Sequence, residues 1–298
     1  MPVPDPPPGR LVRKTGEVTV AGAEARAGMD LDAEAAIEVP DGGRAVIELR
    51  DGGRIELDGP ARAILPEDAA AQLVLIRGAT FGAQPPAGNA PRPPLRIAAP
   101  AVSVEIGVTG EFYVATFESG AAWVCSLAGT VALDRGEADN RRHLRTLVLP
   151  PGRAVAVTDR LAEPTDGPGR LSAARAAAAT LAQTPSNPVD PAAERAALES
   201  ATERLDRALV WLETEARRGR ELTNAHRDAV QQSDTEEASR LQRELVGHSQ
   251  SLYRLRRLAT SRWERIRAEA LRLAMVGRPP APDPVAQRRD RVAGLLGR

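Results

Sequence analysis

The chain has 298 residues, of which 42% are hydrophobic, 27% charged and only 3% aromatic, a globular balance with room for one large domain or two. Its 40 basic and 40 acidic residues cancel, so no global field steers it to nucleic acid or to an anionic membrane. The single cysteine, Cys125, excludes an internal disulfide, and there is no run of about 18 apolar residues to span a bilayer.

The chain starts Met1-Pro-Val-Pro-Asp-Pro-Pro-Pro-Gly9, without the apolar segment of a signal peptide, which as written predicts a cytoplasmic protein. A proline-rich stretch of this kind also follows membrane anchors, and an anchor upstream of Met1 would make the protein periplasmic. Between residues 9 and 160 short apolar runs alternate with turn residues. The pattern predicts strands at 17–20, 35–39, 45–49, 54–57, 61–65, 72–76, 95–98, 102–106, 111–117, 122–127, 130–133, 145–149 and 154–157. The clearest punctuation is a repeated turn, Asp41-Gly42-Gly43-Arg44 and then Asp51-Gly52-Gly53-Arg54, whose glycines supply the positive φ of tight hairpin turns. Many short strands about ten residues apart predict a mainly β domain over 9–160, a short-strand β-solenoid or sandwich. The proline-rich stretch from Gln84 to Pro94 reads as a long exposed loop within it.

Composition then shifts. Residues 161–190 read as a Pro/Gly-rich linker holding a short alanine-rich helix at 172–183. Asp190-Pro191 is an N-cap followed by proline in the first helical position. From 191 to 276 proline is absent and leucine recurs at helical spacing, with Leu198, Leu205, Leu209 and Leu212 on one face. A second set follows: Leu241, Leu245, Leu252, Leu255, Ile266 and Leu273. The polar stretch at 231–237 separates the sets and contains Ser233 and Glu236 at capping-box spacing. An antiparallel helical hairpin or long coiled coil is predicted, with one continuous helix as the alternative. Charge favours the hairpin: 190–237 carries 12 acidic residues and 7 arginines, while 253–298 carries 12 arginines and 4 acidic residues. Arms of this length reach about 60 Å, which predicts a protruding rod or an oligomerisation element. Residues 277–298 read as a proline-rich spacer and a short basic tail.

The order of turns and strands in the first domain resembles the FecR domain, a β module of bacterial envelope regulators. The residues that carry the resemblance are Ala27-Gly28-Met29-Asp30-Leu31, Asp51-Gly52-Gly53-Arg54-Ile55 and Arg77-Gly78-Ala79-Thr80-Phe81. It continues with Val108-Thr109-Gly110-Glu111-Phe112-Tyr113-Val114, Ala128-Gly129-Thr130-Val131 and the closing Leu149-Pro-Pro-Gly152-Arg-Ala-Val155-Ala-Val157. The family's Gly-Thr pair stands here as Thr109-Gly110. The resemblance covers about half of the chain and implies a non-catalytic β module used in protein contact, in a mostly periplasmic family.

Candidate sites are few. His143, His226 and His248 are isolated along the chain, and the two on the helices would lie at different heights of a hairpin, so no metal site and no cofactor are expected. Glu48, Glu56 and Asp58 alternate as a solvent face should, although a carbohydrate-active β-solenoid could use carboxylates such as Asp51 and Glu56 for acid and base work. Phe112, Tyr113, Phe117 and Trp123 cluster in an aromatic-poor chain. Phe112 and Tyr113 must point to opposite faces, so one is exposed unless a second layer covers it. These four are a candidate partner-binding patch. Leu198, Leu205, Leu212, Leu241, Leu245, Leu252, Ile266 and Leu273 are the candidate hairpin or oligomerisation seam. The expected function is a non-enzymatic protein-protein interaction or regulatory protein with a protein partner or a second copy, and nucleic acid is not an expected partner. The alternatives are a structural scaffold and the carbohydrate-active enzyme.

Overall fold

The computed structural model describes residues 7–66, 71–86, 92–107, 109–140, 143–158, 162–183, 190–275, 277 and 279–296, with backbone alone for 136–140 and 143–145. The proline-rich start to Pro6, the middle of the 84–94 loop, Val108, the 184–189 linker and the His143 side chain lie outside the described residues.

The strands are β1 (Gly9–Thr15), β2 (Thr19–Val20), β3 (Ala23–Glu24), β4 (Asp30–Leu31), β5 (Ala36–Val39), β6 (Arg44–Leu49), β7 (Arg54–Ile64) and β8 (Leu73–Gln84). They continue with β9 (Leu95–Ala98), β10 (Ser103–Ile106), β11 (Gly110–Thr116), β12 (Ala122–Ala128), β13 (Val131–Asn140), β14 (His143–Leu149), β15 (Arg153–Val157) and β16 (Thr165–Asp166). All are joined in one hydrogen-bonded sheet whose pairings are antiparallel except β8 with β9. A parallel solenoid is therefore not the architecture. The sheet folds over itself as a sandwich.

The fold-over is made by two long bent strands. The runs 54–57 and 61–65, expected as separate strands, are one strand β7, which pairs with β6 through its first half and with β5 through its second. β8 runs beside it, with Arg54 to Asp58 facing Ala83 to Ala79 and then Arg62 to Ile64 facing Arg77 to Val74. One lobe therefore reads β4-β1-β6-β7-β8-β11-β12-β15-β16 and the other β3-β2-β5-β7-β8-β9-β10-β13-β14. Their inner faces share one core, which takes Ile47, Phe112 and Val114 from the first lobe and Ile37, Ile97 and Val104 from the second. The bend needs glycine. A Cβ at Gly59 would stand 1.8 Å from the Pro40 carbonyl oxygen, and one at Gly78, whose φ is +89°, 2.3 Å from that of Pro60.

The twin turns do different work. The second joins paired strands β6 and β7 as a hairpin, with Leu49 N–H donating to Gly53 O at 2.8 Å. The first joins β5 to β6, which do not pair with each other, so it carries the chain from one lobe to the other.

The helices are α1 (Leu171–Gln183), α2 (Pro191–Gln231), α3 (Thr235–Met275) and α4 (Arg289–Leu296). α2 and α3 form the hairpin. Asp190 caps α2 by accepting from Ala192 N–H at 2.9 Å. At the tip Ser233 does not cap α3 as the capping-box spacing predicts. It takes φ +60° and closes α2, with Ser233 N–H donating to Val230 O and Asp234 N–H to Ala229 O, and Asp234 then caps α3 through Glu237 N–H.

The hairpin is a free rod only towards its tip. The later part of α3 lies on the outer face of the second lobe, where Ala268, with Leu271 and Met275, packs on Ile64, Val74, Ile76 and Ala98. Glu264 bridges Arg96 at 3.2 Å and accepts from Ser103 Oγ at 3.1 Å, and Arg257 meets Glu105. The arginines of this arm thus serve the sheet as well as the acidic arm, where Arg272 pairs with Glu194 at 2.5 Å. α4 packs on the hairpin with Val292 in its seam and Arg291 on Glu213, and Arg288 just before it pairs with Asp206.

Two stability measurements test this account. Gly78→Ala adds a clash to a strained φ and should cost more than about 3 kcal/mol in urea denaturation. Gly28→Ala has φ +85° but open space around it, and should cost about 1 kcal/mol. Ser233→Gly should raise the melting temperature by a degree or two, because glycine relieves about 1 kcal/mol of left-handed strain at some entropic cost.

Candidate functional site

The outer face of the first lobe carries the most structured cluster of side chains. Across β7, β8, β11, β12 and β15 the register aligns Glu56, Phe81, Tyr113, Cys125 and Ala154 in one row. The next row on the same face is Asp58, Ala79, Ala115, Trp123 and Ala156. Period-two alternation sends these residues outward while Phe112 and Val114 fill the core. Tyr113 and Trp123 meet edge to face with ring centroids 6.5 Å apart.

α1 covers this platform. Ala174 and Ala178 are buried against Phe81, Tyr113, Trp123 and Cys125, with Leu171 and Ala177 at the margin. Arg175 reaches between the carboxylates of β7, donating from Nε to Asp58 Oδ2 at 2.7 Å and from a terminal nitrogen to Glu56 Oε1 at 2.6 Å. Arg44 lies 3.0 Å from both carboxylates on the other side, and Tyr113 Oη donates to Asp58 Oδ2 at 3.1 Å. With Arg54 3.9 Å from Glu56, two carboxylates and three guanidiniums are thus closed into one network around a tyrosine.

The sequence-predicted residues fall as follows. Phe112 is fully buried on the inner face, and its ring touches Gly82, where a Cβ would lie 2.5 Å away. Tyr113 and Trp123 are 2% and 7% exposed beneath α1, and Phe117 is half-buried at the edge of the cluster. The four do not form an open patch: alternation did separate Phe112 from Tyr113, but α1 supplies the second layer. Glu56 is not on a solvent face either, being 5% exposed, whereas Glu48 is exposed. Asp51 serves its turn, accepting from Gly53 N–H at 3.1 Å. Sequence reasoning missed Arg44 and Arg175. The one signal was a lone arginine within an alanine-rich helix.

Leu198, Leu205, Leu212, Ile266 and Leu273 are in the seam cluster of the hairpin with Leu252 packed beside them; Leu241 is buried nearer the tip, and Leu245 is half-buried. His248 is buried at the same seam. Its Nδ1 lies 3.0 Å from Glu215 Oε1, and its Nε2 sits where a Cβ on Gly219 would be, so glycine makes room for the imidazole. Among the described residues no group of three or more His, Cys, Asp or Glu is arranged to hold a metal ion. No helix there is long and apolar enough to cross a membrane.

No protein-family model matches the chain, and no curated protein matches it in sequence. Among solved structures it is similar to two crystal structures, at 2.50 and 1.65 Å resolution, of a candidate anti-sigma factor from Parabacteroides distasonis ATCC 8503. Identity is 18% and 17% and the TM-score 0.36 and 0.37, and each match covers 45% of this chain and 60% of the other.

Alkaline titration tests the buried platform. Burial raises the Tyr113 phenol well above its usual 10.0, helped by the Asp58 charge, and burial pushes the Cys125 thiol from 9.0 up to about 11. The folded chain holds both protons where the unfolded chain has lost them, so stability is complete below pH 9 and falls as pH rises. Cys125→Ala should remove the part of that loss between pH 9 and 11, and Tyr113→Phe the part above pH 10. Urea denaturation across a pH series measures both, and the hydrogen bond lost in Tyr113→Phe should cost about 1 kcal/mol at neutral pH.

Proposed function

We propose that this chain is a non-enzymatic interaction protein of the regulatory kind, in which a FecR-like β sandwich is the scaffold and the far half of the helical hairpin is the contact arm. The observation that carries this is a set of exposed apolar side chains on that arm, the most exposed large ones among the described residues. α3 reaches the sheet from Arg257 onward, and the stretch before it, with its α2 counterpart, runs about 33 Å towards the tip. On that stretch Val246 and Tyr253 are 58% and 65% exposed, two turns apart on one helix face, and Val230 is 56% exposed near the tip. A helix face of this kind fits a groove or a facing helix on a partner. The order of turn and strand motifs in the first domain supports the regulatory assignment.

The commitments of three carboxylates support this reading over the enzyme alternative. Glu56 is paired with three arginines and Asp58 with two, Arg175 of α1 among them in both cases, and Asp51 is committed to its turn.

A photo-crosslinking residue placed at Val246 or Tyr253 in producing cells should give a discrete covalent adduct, and one placed at the exposed Glu24 on β3 should not. Light scattering then separates the partners: a small, fixed oligomer is expected. Concentration-dependent growth would make the protein a scaffold instead, and the absence of adducts from both arm positions would overturn the arm as the contact element.

A further inference from the structure

A short helix, α1, covers the aromatic platform of the first lobe. α1 buries only two alanines, with Leu171 and Ala177 partly covered, yet beneath it stand Phe81, Tyr113 and Trp123, three of the chain's few large aromatics. Such rings on an outer sheet face are a large apolar payload for so small a helix to cover. Isolated helices of this length are marginal in water even when alanine-rich. The chain on either side is rich in helix breakers: Glu163-Pro-Thr-Asp-Gly-Pro-Gly169 before it and Thr184-Pro-Ser-Asn-Pro-Val189 after it. The chain before α1 is tied to the sheet by the short β16 pairing and by Gly167 N–H on Gly152 O, and within α1 itself the polar grip on the sheet is Arg175, inserted between Glu56 and Asp58.

Those two carboxylates belong to β7 and stay with the sheet when α1 leaves. Arg44 would then face both, with Arg54 a further 3.9 Å from Glu56, and Tyr113 Oη would still point at Asp58. The surface left behind is an aromatic floor covered until then by small side chains, with two carboxylates at its edge that have lost the one guanidinium reaching both from above. A planar guanidinium fills that place better than an ammonium, since it can span both carboxylates at once.

We propose that α1 is a displaceable strap, and that the platform beneath it is a docking site for a partner helix that presents an arginine on a face of small residues. α1 is the built-in version of that partner, with Ala174 and Ala178 beside Arg175 as the pattern to be matched. This rests on reading the chain as an interaction protein and adds a second, covered contact surface to the arm. As a tethered ligand α1 keeps the platform filled at high effective concentration, so only a partner that binds more tightly or is locally abundant displaces it.

Cys125 reports the exchange. It is the only thiol, is fully buried, and contacts Pro168 O, so it becomes accessible when the segment leading into α1 lifts. In the full chain, labelling by a maleimide should proceed through a local opening with a much weaker urea dependence than global unfolding followed by circular dichroism. Arg175→Glu should speed labelling at least tenfold while the β signal is retained, and Arg175→Lys should fall between. A capped peptide of residues 171–183 should protect Cys125 in the Arg175→Glu chain, and the same peptide with its arginine replaced by glutamate should not.

If labelling follows global unfolding in both the natural chain and Arg175→Glu, α1 is a permanent part of the fold and the strap is overturned. Equal protection by both peptides overturns the arginine grip. Should Arg175→Glu fail to fold, hydrogen exchange on the natural chain decides: α1 amides must exchange well ahead of those in β11 and β12. Each of these failures leaves crosslinking at Val246 and Tyr253 untouched, and loss of those crosslinks leaves α1 exchange untouched.

Discussion

The carbonyl oxygens of Pro40 and Pro60 come close enough to Gly59 and Gly78 that any side chain there would collide with backbone. Because those two positions are bare, β7 and β8 bend together and stay paired on both sides of the bend. A single sheet can then cover itself, with one inner core and two outer faces. Without the bend the long strands would make one flat sheet with both faces open to water, and the apolar alternation of β11, β12 and β13 would have nothing to bury against.

The outer faces are closed in different ways. On the second lobe α3 lays down an apolar stripe flanked by buried ion pairs, including Glu264 with Arg96, and it is one arm of a hairpin whose seam is held independently by Leu205, Leu209, Leu258 and Trp263. That cover is tied into a second core. On the first lobe α1 is short and small-faced, with one arginine gripping the sheet. The two faces therefore differ in how much of the molecule must move to open them, and that difference is what makes one a scaffold contact and the other a site.

The charge balance of the chain takes on meaning in this light. Zero net charge is not an even scatter of solvated ions: Arg96, Arg175, Arg257 and Arg272 are each matched to carboxylates from distant parts of the sequence. Most of these pairs join a helix to the sheet or one helix to another. They set where the helices dock, while apolar burial supplies the drive to dock at all.

Much of this was legible in the sequence, because it depends on local rules. Turn glycines and period-two alternation marked a mainly β first half; the proline-free stretch with leucines at helical spacing marked the hairpin; Asp190-Pro191 marked where it starts. What the sequence could not show were pairings between residues far apart in the chain. Asp41-Gly42-Gly43 and Asp51-Gly52-Gly53 are near-identical locally, yet one crosses between lobes and the other closes a hairpin, since strand partners are chosen by the whole sheet. Alternation put Glu56 and Asp58 on one face and separated Phe112 from Tyr113, but did not say that Glu56, Tyr113 and Trp123 share an outer face or that the helix at 171–183 covers it. Local geometry thus follows from residue type and spacing, whereas burial of a sheet's outer face depends on which distant element lands there, and only the tertiary fold decides that.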